Sequence, residues 1–583
     1  MIKKLARLAR YIGEFKKSTM ITPLLMVGEV ALEISIPYLM ASIIDDGVEK
    51  SDIRHIVLTG ILMIAMALFS LLFGAAAALT ASKASAGFAK NLRFAIFSKV
   101  QNFSFANTDK FATSGLVTRM TTDVNNVQMA FQMLIRICVR APLMLIMALI
   151  MAFRINSRLS LMYIGAILFL GPVLIIIAKK AFPRFDYVFH KYDKLNESVQ
   201  ENLTGVRVVK SFVREEHETK KFHKASDFIY KGFVNAEKVV VMNGPFMNLT
   251  MNTCMILICW IGAHIIVGTN GTEMSTGDLT SFLSYTVNVL MNLMMISMVF
   301  VMMTISKSSA ERIMEVLDEE LDITDPVSPV TEVKNGEIIF DDVCFSYSKN
   351  KDNLNLEHIN LNIPSGSTVG IIGGTGSGKT SLVQLIPRLY DVTSGKISVG
   401  GVDVRDYSIK SLRDSVSMVL QKNVLFSGTI KENLRWGNSD ATDEEMIEAC
   451  KSAQAHDFIM SFPDGYDTLI DRGGTNVSGG QKQRLCIARA LLKKPRVLIL
   501  DDSTSAVDTA TDAKIRDAFA KYIPDVTKII IAQRISSVAS ADMIIVLDEG
   551  KINGVGTHEK LLENNAIYRE VYESQIKGAD FDE

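Results

Sequence analysis

The chain has 583 residues, which corresponds to roughly three to four domain-sized units. Hydrophobic residues make up 48% of it, charged residues 21%, and the mean hydropathy is +0.23, which excludes a disordered chain, a collagen-like fibre and a small disulfide-held secreted module. The 62 Lys and Arg residues are balanced by 63 Asp and Glu residues, and the net charge of −1 argues against a nucleic-acid-binding protein, which needs a cationic excess.

The first half of the chain contains long apolar segments. A helix that crosses a bilayer needs about 20 mostly apolar residues, and six segments meet this requirement. The basic, amphipathic N-terminus lacks a small-residue cleavage site, so we interpret it as an interfacial helix rather than a cleavable signal peptide. The predicted spans cover residues 18–43, 55–81, 132–153, 159–179, 243–267 and 279–304.

Lys and Arg are concentrated at the N-terminus and in two long connections, residues 82–131 and 180–242. Connections rich in Lys and Arg tend to stay in the cytoplasm, so we place both long connections and both termini there. Arg154 and Arg158 are exceptions to this tendency, because they lie in a short connection on the outer side. A long loop without secondary structure would be unusual. We therefore expect the spanning helices to continue into the cytoplasm as helical rods. The alternative is that the charged residues of these connections only form a solvated helical face.

The pattern changes after the sixth span. A charged helix and a linker with two prolines lead to short apolar runs that alternate with helical patterns, as in α/β nucleotide-binding domains. We predict a multidomain membrane protein. It has an all-α transmembrane domain of six helices with long cytoplasmic extensions (residues 1–305), a linker (306–335) and an α/β P-loop nucleotide-binding domain (336–583).

The segment GGTGSGKT fits the phosphate-loop pattern GxxxxGK[ST] and lies between a predicted strand and a predicted helix. In such a loop, backbone N–H groups surround phosphate oxygens, Lys379 supplies positive charge and Thr380 offers a hydroxyl to Mg²⁺. The alternative is a plain glycine-rich turn, which would not need Lys379 followed by Thr380. The residues expected to bind ATP are Gly373, Gly374, Thr375, Gly376, Ser377, Gly378, Lys379, Thr380 and Ser381.

A second apolar run, Val497–Leu500, ends in two carboxylates, as a Walker B strand does. We expect Asp501 to hold Mg²⁺ through water. The next residue, Asp502, would face the water that attacks the γ-phosphate.

Between these elements lies VSGGQKQR, residues 477–484, which resembles the signature motif of ATP-binding cassette (ABC) transporters. Tyr347 matches the aromatic residue that stacks on adenine in that family, Gln421 the glutamine of the Q-loop and Ser505–Asp508 the D-loop. A membrane domain followed by a cassette on one chain is the layout of an exporter half-transporter. In the membrane half, TSGLVTRMTTDV (from Thr113) and ENLTGVRVVKSFVREE (from Glu201) look like the coupling segments of exporters.

The resemblance implies that two such chains form one transporter, with each nucleotide clamped between the phosphate loop of one cassette and the signature motif of the other. Gln421 would then join Thr380 and Asp501 around Mg²⁺, and Asp508 would serve as the D-loop aspartate. The residues expected to act on the partner's ATP are Val477, Ser478, Gly479, Gly480 and Gln481.

Two positions depart from the family pattern. Asp502 stands where the family usually has Glu, and Gln533 stands where it has the switch-loop His. A general base must come within hydrogen-bond reach of the proton it takes, and Asp is one methylene shorter. Gln can donate a hydrogen bond but cannot carry positive charge. The pattern resembles the degenerate-site subunit of heterodimeric bacterial multidrug exporters, which implies a different partner chain with the consensus Glu and His.

Ionisable residues inside spans usually face the bundle interior or water. Glu29 and Glu33 lie one helical turn apart; they could meet cationic substrates or pair with Arg136 and Arg140. Methionine surfaces can repack around varied apolar ligands, although ordinary packing is an equal alternative. The further substrate candidates are Asn288, Asn292 and Met295.

The leading prediction is an ABC-type ATPase coupled to transport: half of an exporter of hydrophobic or amphipathic compounds, with ATP and Mg²⁺ as cofactors, in the cell (inner) membrane. Its own ATP site would bind tightly and hydrolyse poorly. The alternatives are an ATP-gated channel or regulatory ABC subunit, and an exporter of lipid or peptide.

Overall fold

The computed structural model describes residues 7–502 and 507–579 of the chain. It contains two compact units. The first is formed by Met1–Gln101 and Ala112–Glu319, and the second by Asn102–Phe111 and Glu320–Glu583. The second unit is thus assembled from two separate parts of the sequence.

From residue 7 to residue 318 the chain is almost entirely helical. A short 3₁₀ helix, Ala9–Phe15, leads into the first long helix, and the predicted interfacial helix falls partly on residues outside the described ones. The helices are α1 (Lys16–Ser42), α2 (Ile53–Gln101), α3 (Phe105–Lys110), α4 (Thr113–Thr118), α5 (Val124–Ile155), α6 (Ser157–Thr204), α7 (Val206–Ser211), α8 (Glu215–Val241), α9 (Asn243–Thr269) and α10 (Thr276–Asp318).

Six helical stretches among the described residues are long and apolar enough to cross a membrane, which confirms the predicted number of spans. The helical character predicted for the long connections is also confirmed, because α6 continues to Thr204 and α8 begins at Glu215. Helix α10 runs to Asp318, past residue 305, where the sequence places the end of the membrane domain. The six stretches are Ala9–Val48, Ile53–Gln101, Thr113–Ile155, Ser157–Phe185, Glu215–Thr269 and Thr276–Val299.

Small side chains allow close packing within the first unit. Ala81 and Ala84 of α2 are fully buried and form a cluster with Ile135 of α5. The Thr22 hydroxyl of α1 donates to Thr80 Oγ1 of α2 at 2.9 Å. Small residues and interhelical hydrogen bonds of this kind hold membrane helices together, since the lipid offers no hydrophobic driving force for their association.

The second unit contains the strands. They are β1 (Ile338–Phe345), β2 (Leu356–Ile363), β3 (Thr368–Gly373), β4 (Ser394–Val399), β5 (Val402–Asp403), β6 (Val416–Val419), β7 (Gly428–Thr429), β8 (Leu469–Ile470), β9 (Val497–Asp501), β10 (Thr527–Ile531), β11 (Met543–Asp548) and β12 (Lys551–Gly556). The helices between and after them are α11 (Lys379–Leu385), α12 (Ile409–Ser415), α13 (Ile430–Arg435), α14 (Asp443–Ser452), α15 (His456–Met460), α16 (Gly479–Leu491), α17 (Thr509–Tyr522), α18 (His558–Asn564) and α19 (Ala566–Ala579).

A six-stranded sheet of order β12-β11-β3-β10-β9-β6 forms the centre of this unit, and an antiparallel sheet of order β2-β1-β4-β5 accompanies it. All neighbours in the six-stranded sheet are parallel except β11 and β12. Strands β9 and β10 are buried at every position, as expected for a sheet covered on both faces. The carboxyl ends of β3, β6, β9 and β10 therefore share one edge, where α/β sheets bind ligands.

Helix α3 belongs to this second unit although it follows α2 in sequence. A capping box fixes its start: Ser104 Oγ accepts from the Asn107 backbone N–H, and Asn107 Oδ1 accepts from the Ser104 backbone N–H. The Asn107 amide also donates to the carbonyl of Glu320 at 2.9 Å. The predicted coupling segment beginning at Thr113 instead lies in the first unit.

Candidate functional site

The phosphate loop connects β3 to α11, and its glycines determine its path. Gly376 and Gly378 have φ of +85° and +95°, which residues with a side chain rarely adopt. A Cβ on Gly373 would lie 2.2 Å from the Leu547 carbonyl oxygen of β11. The loop therefore passes along this strand end only because glycine stands there.

Lys379 lies within the loop. Its Nζ donates to the carbonyl oxygens of Gly373 (2.9 Å) and Gly374 (2.7 Å). Burial lowers the pKa of Lys379, while the negative charges of Asp501 and Asp502 act in the opposite direction. A cavity of about 280 Å³ adjoins the lysine, and the stretch from Gly376 to Ser381 lines it. A phosphate chain in this cavity would meet the ammonium and the start of α11, a helix N-terminus that favours anions.

Thr380 and Asp501 meet beside this cavity. The Thr380 hydroxyl donates to Asp501 Oδ1 at 3.1 Å, whereas Asp501 Oδ2 is buried and has no hydrogen-bond partner among the described residues. Burial raises the pKa of the Asp501 carboxyl, the charge of Asp502 adds to this effect, and the Thr380 hydroxyl opposes it. A buried carboxylate oxygen beside a hydroxyl is a suitable donor set for a hard divalent cation, which takes oxygen ligands. The residues present therefore fit such a cation.

Gln421 follows β6, the strand next to β9. The register pairs Val419 with Leu500, so the chain after β6 runs beside the chain after β9. This places exposed Gln421 at the same sheet edge as Asp501. The predicted trio of Thr380, Gln421 and Asp501 is therefore gathered at one edge, and two of the three are in direct contact.

The two residues that depart from the family pattern contact each other. Gln533 Nε2 donates to Asp502 Oδ2 at 2.8 Å. Asp502 has φ of +48°, and its backbone N–H donates to the Ile531 carbonyl of β10 at 3.1 Å. The Gln533 carbonyl in turn accepts from Gln575 Nε2 of α19 at 2.7 Å. The sequence marks Asp502 and Gln533 as separate departures from the family pattern, but it does not predict the hydrogen bond between them.

Tyr347, the predicted adenine-stacking residue, follows β1 and is 45% exposed. Its hydroxyl lies 2.9 Å from Ser381 Oγ at the start of α11. Its ring makes an edge contact with Tyr390, with centroids 5.1 Å apart. Tyr347 is thus joined to the phosphate loop and still presents an aromatic surface to solvent.

Tyr390 and Asp109 form a further contact near this site that the sequence does not predict. The Tyr390 hydroxyl donates to Asp109 Oδ2 of α3 at 2.6 Å, and the Phe105 ring makes an edge contact with Tyr390 at 5.9 Å. Burial raises the pKa of the Tyr390 hydroxyl, and its hydrogen bond to the Asp109 carboxylate adds to the increase. Helix α3 is thereby connected through Tyr390 to Tyr347. No spacing signal indicates this contact, because it joins residues 281 positions apart.

The signature residues form the N-terminus of α16. Ser478 Oγ accepts from the Gln481 N–H at 3.2 Å, and Gln481 Oε1 accepts from the Ser478 N–H at 2.9 Å, which is a complete capping box. Ser478 and Gly479 are exposed, whereas Val477 and Gly480 are half-buried. The motif therefore presents a preorganised helix N-terminus, an arrangement that attracts anions.

The predicted D-loop falls partly outside the described residues, because Ser505 and Ala506 belong to the range that the structure leaves out. Asp508 is described and caps α17. Its Oδ1 accepts from the Thr511 N–H at 2.9 Å, and this bond lowers the pKa of the Asp508 carboxyl.

In the first unit, the predicted pair Glu29 and Glu33 lies in a cavity of about 470 Å³ between α1, α2 and α5. Arg140 bridges both carboxylates: its Nε lies 3.3 Å from Glu29 Oε1, and its Nη2 lies 2.6 Å from Glu33 Oε2. Arg136 also lines the cavity. Ion pairing, one of the two predicted roles of the glutamates, is thus observed.

The remaining substrate candidates do not line this cavity. Asn292 is buried, and its Nδ2 donates to the Asn288 backbone carbonyl at 2.7 Å, within its own helix α10. Asn292 Oδ1 is buried and has no hydrogen-bond partner in the part of the chain that the structure describes. Met295 is 40% exposed. The structure therefore separates the glutamate pair from the polar residues of α10.

A phosphate loop, a carboxylate-ended buried strand and a signature helix in one α/β unit, on the same chain as six long apolar helices, define an ABC half-transporter with its membrane domain fused to its ATPase cassette. Family comparison agrees with this class. Residues 19–294 match the ABC transporter transmembrane region and residues 356–505 match the ABC transporter cassette.

Full-length relatives support the same assignment. The chain is 37% identical over 553 residues to the uncharacterized ABC transporter ATP-binding protein YfiB of Bacillus subtilis, covering 95% of each chain. It is 33% identical to the putative multidrug export ATP-binding/permease protein YgaD of the same species, covering 98% of this chain and 99% of YgaD. A bacterial Atm1-family ABC exporter solved with ATP bound shares the fold, with a TM-score of 0.84, 24% identity and coverage of 96% and 98% of the two chains. The chain belongs to the ABC transporter family.

Proposed function

We propose that this chain is one half of a heterodimeric, ATP-driven exporter of hydrophobic or amphipathic compounds. Its own site binds Mg-ATP and hydrolyses it slowly, and its signature motif completes the active site of a different partner chain. The membrane is the cell (inner) membrane, with both termini in the cytoplasm.

The observation that carries this proposal is the 2.8 Å hydrogen bond from Gln533 Nε2 to Asp502 Oδ2. These residues stand where ABC ATPases usually have the general base and the switch histidine. This bond occupies one carboxylate oxygen of Asp502, whose side chain is already one methylene shorter than that of the usual Glu. Gln533 stays neutral throughout the cycle, so it cannot supply positive charge to the transition state.

The groups that bind nucleotide are intact by contrast. Lys379 lies in its loop, and the unpartnered Oδ2 of Asp501 beside Thr380 is a donor set for Mg²⁺. The metal ion would neutralise charge on the phosphate oxygens. Only the residues that would act on the attacking water depart from the family pattern. This favours a site that still binds ATP over a site that has lost both binding and hydrolysis.

The signature helix supports the trans role. Ser478 and Gln481 cap α16 with both reciprocal hydrogen bonds in place. A chain that had lost its part in hydrolysis altogether would not need this helix N-terminus. We therefore assign Ser478, Gly479 and Gly480 to the partner's ATP.

The cargo class is supported by the putative multidrug export relative and by the apolar cavity walls of the first unit. The cycle follows from these parts. Binding of ATP at both composite sites favours closure of the cassettes, and hydrolysis at the partner's site reopens them.

The test is the intact mass of the tagged complex solubilised from its native host. We expect one copy of this 64.4 kDa chain together with a different subunit of similar size. Two copies of this chain alone would overturn the heterodimer, since both sites would then contain Asp502 and Gln533. That outcome would favour the ATP-gated channel or regulatory subunit, which needs no stoichiometric hydrolysis.

A further inference from the structure

The cavity between α1, α2 and α5 contains four ionisable side chains, two from α1 and two from α5, and both helices belong to stretches that are long and apolar enough to cross a membrane. Ionisable groups within membrane-spanning helices are costly and mark functional sites. Their pairing is unequal. Arg140 binds both Glu29 and Glu33, so a single guanidinium serves both carboxylates.

This unequal pairing leaves two groups to be satisfied. Within the described part of the chain, Arg136 forms no ion pair, although it lines the same cavity. Glu29 Oε2 is buried, and no described residue forms a hydrogen bond with it. A guanidinium carries five N–H donors in a planar fork that matches a carboxylate, sulfonate or phosphate. An unpaired charged group and an unsatisfied oxygen both carry a desolvation cost that a ligand can remove.

The walls define the rest of the ligand. Ile36, Ala67, Leu71 and Ala75 contribute apolar surface around the charged groups. A volume of about 470 Å³ is within the range of sites for drug-sized molecules. A cation is disfavoured here because it would approach Arg136 while both glutamates are already engaged by Arg140.

We propose that this cavity binds a small amphipathic organic acid, with the acid on Arg136, a ligand N–H or O–H on Glu29 Oε2 and an apolar body against α1 and α2. The proposal rests on the proposed export function, because it names the substrate class of that transporter. It replaces the cationic substrate that was one of the two roles considered for the glutamate pair.

Three dansyl compounds with one fluorophore and different charges test the assignment: dansylglycine (anion), dansylcadaverine (cation) and dansylamide (neutral). The full chain in its native complex is placed in phosphatidylcholine nanodiscs without ATP, and binding is followed by fluorescence. We expect dansylglycine to bind most tightly. Arg136→Gln should weaken it roughly tenfold or more and leave dansylamide unchanged, because a charge-assisted hydrogen bond is lost. Arg136→Lys should retain part of the affinity.

Arg154→Gln is the matched control: it removes an exposed arginine from the same helix, α5, outside the cavity. Equal loss in both variants, or tighter binding of dansylcadaverine that depends on Glu33, would overturn the proposal. Displacement of dansylglycine when phosphatidylglycerol is added to the nanodiscs would identify a lipid headgroup as the ligand and overturn the small-acid assignment. The assay uses no ATP, so absent transport with normal dansylglycine binding would contradict the proposed function alone.

Discussion

The Tyr390 hydroxyl and the Asp109 carboxylate are joined by a 2.6 Å hydrogen bond that connects α3 to the rest of the second unit. Tyr390 also touches Tyr347, whose hydroxyl reaches Ser381 of the phosphate-loop helix. The helix that carries Asp109 is therefore two side chains away from the nucleotide site. Packed and hydrogen-bonded side chains thus form a continuous path from Asp109 to the phosphate-loop helix.

Tyr390→Phe removes this bond and keeps the ring. We expect residues 102–111 to exchange amide hydrogens roughly fivefold faster, because a hydrogen bond of this kind contributes about 1 kcal/mol. Hydrogen–deuterium exchange of the full chain measures this. Tyr522→Phe, at an exposed tyrosine in the same unit, is the control. Unchanged exchange in the Tyr390 variant would show that α3 is held by its other contacts, among them the hydrogen bond from Asn107 to the Glu320 carbonyl.

Asp502→Glu combined with Gln533→His should raise ATP hydrolysis of the complex roughly tenfold or more, because it restores a longer base and a residue able to carry charge. Since the two side chains contact each other, we expect the double variant to exceed the product of the single effects. Steady-state turnover of the complex with its partner measures this. Asp525→Glu, an exposed aspartate in the same unit, should change nothing. A double variant no faster than the original would place the defect elsewhere.

Ser478→Ala should abolish most turnover at the partner's site while ATP binding at this chain's phosphate loop persists. Loss of a cap also costs about 1 kcal/mol of helix stability, so a control is needed. Thr442→Ala removes the equivalent capping box of α14, where Thr442 and Glu445 bond reciprocally. If the two variants lose turnover equally, Ser478 is a structural cap and has no role in trans.

Gly74→Ala tests the packing of the membrane cavity. A Cβ at this position of α2 would lie 3.2 Å from Glu29 Cδ and 3.3 Å from both carboxylate oxygens. We expect the carboxylate to be displaced and the complex to lose about 1–3 kcal/mol of stability, as for other overpacked sites. Thermal unfolding in nanodiscs measures this. Gly60→Ala, in the same helix with nothing within 4 Å, should be neutral or stabilising; equal loss in both would assign the effect to α2 itself.

The features predicted from sequence are those encoded locally. Six spans follow from apolar runs, and the phosphate loop follows from residue types at fixed spacing. Contacts between distant residues could not be derived in this way. The Asp502–Gln533 hydrogen bond depends on the register that pairs Ile531 with Asp501. Arg140 binds both glutamates because of side-chain conformations on two helices, which helical periodicity does not specify.

Helix α3 was missed for a related reason. A helix of six residues has too little periodicity to be recognised, and its capping box uses Asn107 in place of the usual Glu or Gln. The sequence placed coupling segments from Thr113 and from Glu201 instead. Helix α3 is part of the second unit because of contacts between residues far apart in sequence, including Asn107 with Glu320 and Asp109 with Tyr390.

Because the second unit is built from two separate parts of the sequence, the cassette cannot be excised as one continuous segment. A cassette cut out at residue 320 would lack Phe105, Ala106 and Asp109, and would expose the surface around Tyr390 that these residues cover. The cassette is therefore not a freely portable module. A chimera that exchanges cassettes with a relative must also carry the ten residues 102–111 from within the membrane half, or tolerate a mismatched joint at that place.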